Sequence, residues 1–279
     1  MAKQGFRVID SDLHVIEPPN LWTDYLDPEF RGRVTTGPGT ADLRAHVDGH
    51  VLPPYADRPE RQRAWSFRLR HPESERIRRA TQPEAAVQAM DVEGIDIGIV
   101  FRTWATQGIN IDGLDPALAA ALCDHLAKRY LDNLVLSHAV GQPVEMMLTL
   151  GAVVTGGVLS RFPRLRMAFL EGNCAWLPWW LWALDERWEK RGDQELFQQD
   201  AKPSELFRRQ CFISVEPEEE LAKYVVAELG DDNLVLSTDW PHDDSRFPHS
   251  IDGFLALPHL SADTKRKILW DNCARLYKL

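Results

Sequence analysis

The sequence predicts an α/β fold of the (β/α)-barrel type, and three observations carry that reading. The chain has 279 residues, and a single α/β barrel takes roughly 250. Strand-like runs alternate with helical periods along the chain, the pattern of a parallel sheet with helices packed outside it. Three of those strands end in acids or histidines: Asp12 and His14, Glu171, and Asp239 with His242 just beyond. In a barrel enzyme the C-terminal strand ends form the active face, and groups from several strands converge there. With 44% hydrophobic and 27% charged residues the composition is that of a folded globular chain, read as one domain over residues 1–279.

The elements follow in order. Residues 6–10 (FRVID) read as a short strand that runs into Asp12 and His14. Residues 17–80 hold no sustained strand or helix period and are rich in proline, so they read as a long lid or excursion. Eight arginines lie between Arg58 and Arg79; most suit a solvated face, and one or two could clamp an anionic substrate. Pro83–Glu93 has helical composition with proline in its first turn, and Gly94 ends it. Residues 95–101 alternate as a strand, and Asp115-Pro116 opens another helix. Residues 134–138 (LVLSH) read either as a strand ending in His138 or as the start of a long helix with Pro143 in its first turn. Residues 166–170 form a strand ending at Glu171, and residues 211–215 and 234–237 form two more around a helix at 218–229. Ser261 caps a last helix reaching about Ala274, with Asp263 in its first turn to match the macrodipole.

Charge and composition exclude several functions. Thirty-two basic against 42 acidic residues leave a net charge of −10, a poor match for nucleic acid or an anionic membrane. The longest uncharged apolar stretch, residues 146–159, is shorter than the roughly 20 residues a spanning helix needs and holds three glycines. The four cysteines, Cys123, Cys174, Cys211 and Cys273, form no C-x-x-C pair. They read as reduced thiols in a cytoplasmic protein. Trp176, Trp179, Trp180 and Trp182 crowd one segment. Four such rings cannot all face one core, so part of that surface is expected between the subunits of a homo-oligomer.

Residues i and i+2 of an extended strand project to the same side, so Asp12 and His14 can both point at one ion. A carboxylate oxygen and an imidazole nitrogen suit zinc, and manganese accepts them too. Asp239 stands at the lip of the sheet before Trp240-Pro241, where it could hold the same ion and move a proton. Each of these groups also has an ordinary structural reading, such as an end-of-strand cap for Asp239 or an arginine partner for Glu171. No dinucleotide fingerprint, phosphate loop, nucleophile elbow or H-E-x-x-H appears.

Five stretches together resemble the amidohydrolase-related metal-dependent barrel family that includes aminocarboxymuconate-semialdehyde decarboxylase and γ-resorcylate decarboxylase. They are residues 9–19 (IDSDLHVIEPP), 91–96 (DVEGID), 156–166 (GGVLSRFPRLR), 234–242 (LVLSTDWPH) and 267–277 (KILWDNCARLY). The resemblance implies a (β/α)₈ barrel holding one divalent ion, zinc or manganese. Asp12 and His14 match the family's first-strand pair and Asp239 its last-strand aspartate. Glu171 falls where many members carry a catalytic histidine, and His138 aligns with a position facing the substrate. Asp239 and Glu171 are thus the expected catalytic pair, with His138, Arg102 and His242 on the substrate and Asp12, His14 and Asp239 on the metal.

The chain departs from that family in its middle. The metal-ligand histidine at the end of the fifth strand has no counterpart, and residues 123–130 join flanks that the family separates by three strand–helix units. About five strands are recognisable where a closed barrel needs eight. The chain reads as a member with an internal deletion, an incomplete barrel left as an open sheet, and a weak, exchangeable metal site. Two functions follow: metal-dependent hydrolysis or non-oxidative decarboxylation of a small carboxylated aromatic compound, or a truncated relative without turnover.

Overall fold

A computed structural model of the chain describes residues 3–15, 34–36, 45–47, 50–51, 82–102, 134–195, 199–242 and 245–279. Strand β1 (Ile9–Val15) is buried along all but its last residue. It starts three residues later than the sequence suggests, so Asp12 and His14 lie within the strand. Three short strands, β2 (Val34–Thr36), β3 (Ala45–Val47) and β4 (His50–Val51), form an antiparallel sheet inside the stretch where no strand is predicted. The rest of the excursion lies outside the described residues. Helix α1 (Pro83–Glu93) has the predicted bounds, and Gly94 closes it in the left-handed region at φ 78°, a conformation glycine adopts without Cβ strain. Strand β5 (Ile97–Arg102) pairs in parallel with β1, placing Phe101 opposite His14.

Helix α2 (Leu134–Thr155) decides between the two readings of residues 134–138: they are helical, and His138 ends no strand. A three-residue apolar run cannot by itself separate a buried strand from a buried helix, and here the helical period of the following residues prevails. Pro143 lies inside α2 rather than in its first turn. After α3 (Val158–Arg161) come β6 (Met167–Phe169), α4 (Leu177–Glu195), α5 (Pro203–Gln210), β7 (Cys211–Val215), α6 (Ala222–Leu229) and β8 (Leu234–Leu236). Strands β6, β7 and β8 make a second parallel sheet in that order. The chain closes with α7 (Ser250–Ala256), α8 (Ala262–Arg266), one π-helical turn (Lys267–Asp271) and α9 (Asn272–Tyr277). The single last helix of the sequence reading is therefore broken by a π turn, although its Ser261 cap is as predicted, with the hydroxyl accepting from Thr264 N–H.

The main core lies between the β6–β8 sheet and its helices, filled by Leu150, Leu177, Leu181, Phe207, Ile213 and Phe254. Strand β1 joins that sheet beyond the end of β8. His14 N–H donates to the Trp240 carbonyl at 2.6 Å, Asp239 N–H donates to the Asp12 carbonyl at 3.1 Å, and the Ser11 hydroxyl donates to the Leu236 carbonyl. The described residues thus hold five parallel strands, β1, β5, β6, β7 and β8, matching the five legible in sequence. The helix at 115–130 and the junction at 123–130, where the sequence reading places a loss of three units, lie outside the described residues. Among the described residues no helix is long and apolar enough to cross a membrane. Cys174, Cys211 and Cys273 are buried free thiols, and Cys123 lies outside the described residues. Trp176 and Trp180 pack against the core, whereas Trp179 and Trp182 are 57% and 62% exposed.

Candidate metal centre and cavity

The site is built where β1 meets the segment after β8, and a buried acid that touches no ligand atom organises it. Asp10 accepts from Thr238 N–H and Asp12 N–H, each at 3.1 Å, and from the Thr238 hydroxyl. Burial pushes its carboxyl up to about 7 against those hydrogen bonds. The bonds fix the backbone on both sides of the junction, and Ser237 Oγ adds a 3.3 Å bond to Asp12 Oδ2. Asp239 follows at φ 54°, a left-handed conformation that aspartate tolerates better than most residues. Glu171, two residues past β6, stands at φ 66°, which for glutamate is strained. Its N–H donates to Ser214 Oγ of β7 at 3.0 Å, and Gln142 of α2 donates to its Oε1 at 3.0 Å, so two neighbouring elements hold it.

These strand ends bring one imidazole and three carboxylates together. His14 Nε2 lies 3.2 Å from Asp12 Oδ1, 3.6 Å from Asp239 Oδ1 and 3.9 Å from Glu171 Oε2. His242 Nδ1 is 2.7 Å from Asp239 Oδ1 and 3.8 Å from Glu171 Oε1, and its ring stands 4.4 Å from that of His14. The ligand atoms of Asp12, His14, Glu171 and Asp239 all lie within 4.8 Å of one another. Donors held about 2.1 Å from one ion are about 3.0 Å apart at right angles and about 3.5 Å apart in a tetrahedron. The three spacings from His14 Nε2 are close to those of such a shell, so the donor set fits a divalent cation.

The electrostatics point the same way. Burial, then the charges of Asp239 and Asp12, push Glu171 up to about 8. Burial alone would lower His14, but its hydrogen bond to Asp12 and the nearby carboxylates outweigh that and raise it. Three acids packed into one buried corner repel one another, and a dication is the simplest neutraliser.

A cavity of about 320 Å³ opens beside this corner, lined among others by Gln142, Glu171, Glu216, Asp239, Ser245 and Arg246. Five of the predicted site residues, Asp12, His14, Glu171, Asp239 and His242, come together here. Arg102 ends β5 next to Phe101, whose ring is 6.1 Å from that of His14. His138 lies in the first turns of α2. The side chains of Arg102 and His138 lie outside the described residues. Sequence reasoning missed Glu216, although the signal was present: it directly follows β7, as Glu171 and Asp239 follow β6 and β8. Its Oε1 is buried with no hydrogen-bond partner among the described residues. Burial, then Asp239, raises its carboxyl well above the usual range.

The Amidohydrolase family model matches residues 42–279, more than four-fifths of the chain. The chain belongs to the amidohydrolase family. The match begins after Asp12 and His14, so the convergence of that pair with Asp239 is an independent, structural observation. A curated relative, 2-amino-3-carboxymuconate-6-semialdehyde decarboxylase of Dictyostelium discoideum, is 28% identical over 102 residues, 37% of this amidohydrolase. The aligned stretch spans 28% of that relative's length. Among solved structures, this amidohydrolase is similar to an amidohydrolase from Mycobacterium avium subsp. paratuberculosis K-10 (TM-score 0.67, 17% identity, 97% of this chain and 99% of that one). It is also similar to two 5-carboxyvanillate decarboxylases. That of Sphingomonas paucimobilis has TM-score 0.59, 17% identity and 98% and 99% coverage. A D314N mutant from Novosphingobium aromaticivorans, solved with bound manganese, has TM-score 0.62, 15% identity and 99% and 98% coverage. At these identities the likeness shows the fold, that of the family's barrel enzymes. It does not establish the internal deletion.

Proposed function

We propose that this amidohydrolase is a metal-dependent enzyme that removes a carboxylate, without oxidation, from a small aromatic acid. The observation that carries the reading is the four-donor cluster of Asp12, His14, Glu171 and Asp239 beside an open cavity. The named activities of the Dictyostelium relative and of the 5-carboxyvanillate decarboxylases choose decarboxylation over hydrolysis. Asp12, His14 and Asp239 are the ligands, and Glu171 takes the fourth place that the missing fifth-strand histidine leaves. Manganese, seen in the Novosphingobium neighbour, suits this carboxylate-rich set at least as well as zinc. A bound dication supplies a Lewis acid that orients and polarises an oxygen-rich substrate.

The chain's own residues supply the rest. Asp239, with His242 at 2.7 Å, delivers a proton to the ring carbon that carries the carboxylate. The carbon–carbon bond then breaks, its electron pair returns to the ring, and carbon dioxide leaves. Glu171 and Gln142 form one wall of the cavity and position the acid against that pair. Arg102 and His138 belong to the substrate side in this reading. The exposed Trp179 and Trp182 face a second copy of the chain, and the buried free cysteines fit a cytoplasmic setting.

Purified protein loaded with manganese or zinc, offered hydroxylated benzoates including 5-carboxyvanillate, tests the proposal through carbon dioxide release. Turnover abolished by Asp239→Asn is expected. Full metal occupancy with no turnover on any acid would instead favour the truncated, non-catalytic relative.

A further inference from the structure

The cavity beside the metal centre is acidic to a degree that conflicts with an anionic substrate. Glu171, Glu216, Glu218, Glu219 and Asp239 all line it, and Arg246 is the one cation among its described lining residues. Among these lining residues Arg246 alone offers a carboxylate a positive charge. Arg246 is not free in the structure: its guanidinium is paired with the Glu218 carboxylate, and both side chains are more than half exposed. Glu218 belongs to the segment after β7 and Arg246 to the segment after β8, so this pair spans the cavity's rim. An exposed pair of this kind is held by a fraction of a kilocalorie and exchanges partners readily.

The residue before Arg246 adds a second, independent observation. Ser245 N–H donates to the His242 carbonyl at 3.2 Å, a turn that brings Ser245 back to the cavity. Its Oγ is buried with no hydrogen-bond partner among the described residues. A buried hydroxyl without a partner is costly unless a ligand or water satisfies it. A guanidinium and a hydroxyl lining one cavity are both donors of the kind a carboxylate accepts from.

Resting on the proposed function, we propose that Ser245 and Arg246 form the carboxylate-recognition subsite of this cavity, with Glu218 as an internal competitor that the substrate carboxylate displaces from Arg246. The ligand class is a monocyclic aromatic carboxylate. The corresponding phenol, which lacks the group that displaces Glu218, is held less well and leaves.

Calorimetric titration of manganese-loaded protein with a hydroxylated benzoate and with its decarboxylated phenol tests this. Arg246→Gln is expected to weaken the benzoate at least tenfold while the phenol changes less than twofold, and Ser245→Ala to weaken it several-fold. Glu218→Gln should act in the opposite direction and tighten the benzoate severalfold, a gain that mere damage to the fold would not produce. Unchanged benzoate affinity in Arg246→Gln, or no gain in Glu218→Gln, overturns the subsite while leaving the decarboxylase reading intact. If the parent protein binds manganese but none of the benzoates, the decarboxylase reading falls and the subsite with it.

Discussion

Asp10 offers no ligand atom to the metal cluster, yet its carboxyl joins the two backbones that supply the ligands. It accepts from Thr238 twice and from Asp12 N–H while fully buried. Asp10→Ala leaves those donors unsatisfied, and a loss of about 2–4 kcal/mol in chemical denaturation is expected, together with weaker metal retention. His14 acts directly. Its Nε2 faces all three carboxylates, so His14→Ala is expected to weaken manganese binding by at least about 100-fold, read by metal analysis after dialysis, because even outer partners of a metal ligand cost 10- to 100-fold. Stoichiometric metal surviving dialysis of His14→Ala would remove this residue from the shell. Asp12, His14, Asp239 and His242 were legible because each belongs to a short, composed motif in a strand or in the segment that follows one. Glu216, directly after β7, carried the same signal and was passed over; Gln142 and Asp10 were not legible, for a physical reason. A cavity wall is made by residues from separate elements, and neither α2's approach to Glu171 nor the contact of Asp10 with Thr238 leaves a trace in local spacing.

At the scale of elements, buried side chains anchor the pieces that flank the site. Glu93, the last residue of α1, is buried, and its two oxygens accept from Ser250 N–H at 2.9 Å and Ile251 N–H at 3.1 Å, capping α7 from outside. Glu93→Ala is expected to cost about 1–3 kcal/mol, since two helix N–H groups lose their acceptor in the interior. The C-terminal helices are held by Asp231, which accepts from Lys267 Nζ at 2.7 Å and Thr264 Oγ1 at 2.9 Å. Partial burial opposes ionisation of Asp231, but these bonds outweigh it and lower its carboxyl below the ordinary 3.8. A depressed folded value means the contribution is complete above the unfolded value and is lost as pH falls through the folded one. Stability of Asp231→Asn should therefore differ from the parent at neutral pH and converge with it as pH falls through the depressed folded value, which denaturation at several pH values checks. The bounds of α1 and the cap at Ser261 were readable because proline, glycine and serine act locally. The strand-or-helix ambiguity at 134–138 and the π turn at Lys267–Asp271 were not, since both depend on what the segment packs against. Asn272, donating to the carbonyls of Asp231 and Leu234, is one such packing constraint.

For the molecule as a whole, metal and fold are linked. Anything bound only by the folded state adds stability by mass action, about 2.7 kcal/mol when its concentration is 100 times Kd. Added manganese is expected to raise Tm by several degrees, and His14→Ala should remove the rise. An unchanged Tm across a manganese titration would argue that the four donors do not act as one shell. The five parallel strands and the acidic strand ends support the barrel-type reading, with the ligands drawn from β1, β6 and β8. The junction of the first strand with the last sets a timetable for this assembly. Asp10 and Thr238 are 228 positions apart, so a growing chain carries Asp12 and His14 for more than two hundred residues of synthesis before Asp239 exists. On the proposed reading, a polypeptide interrupted upstream of Asp239 holds only part of the donor set, and the site is finished by the last strand of the sheet.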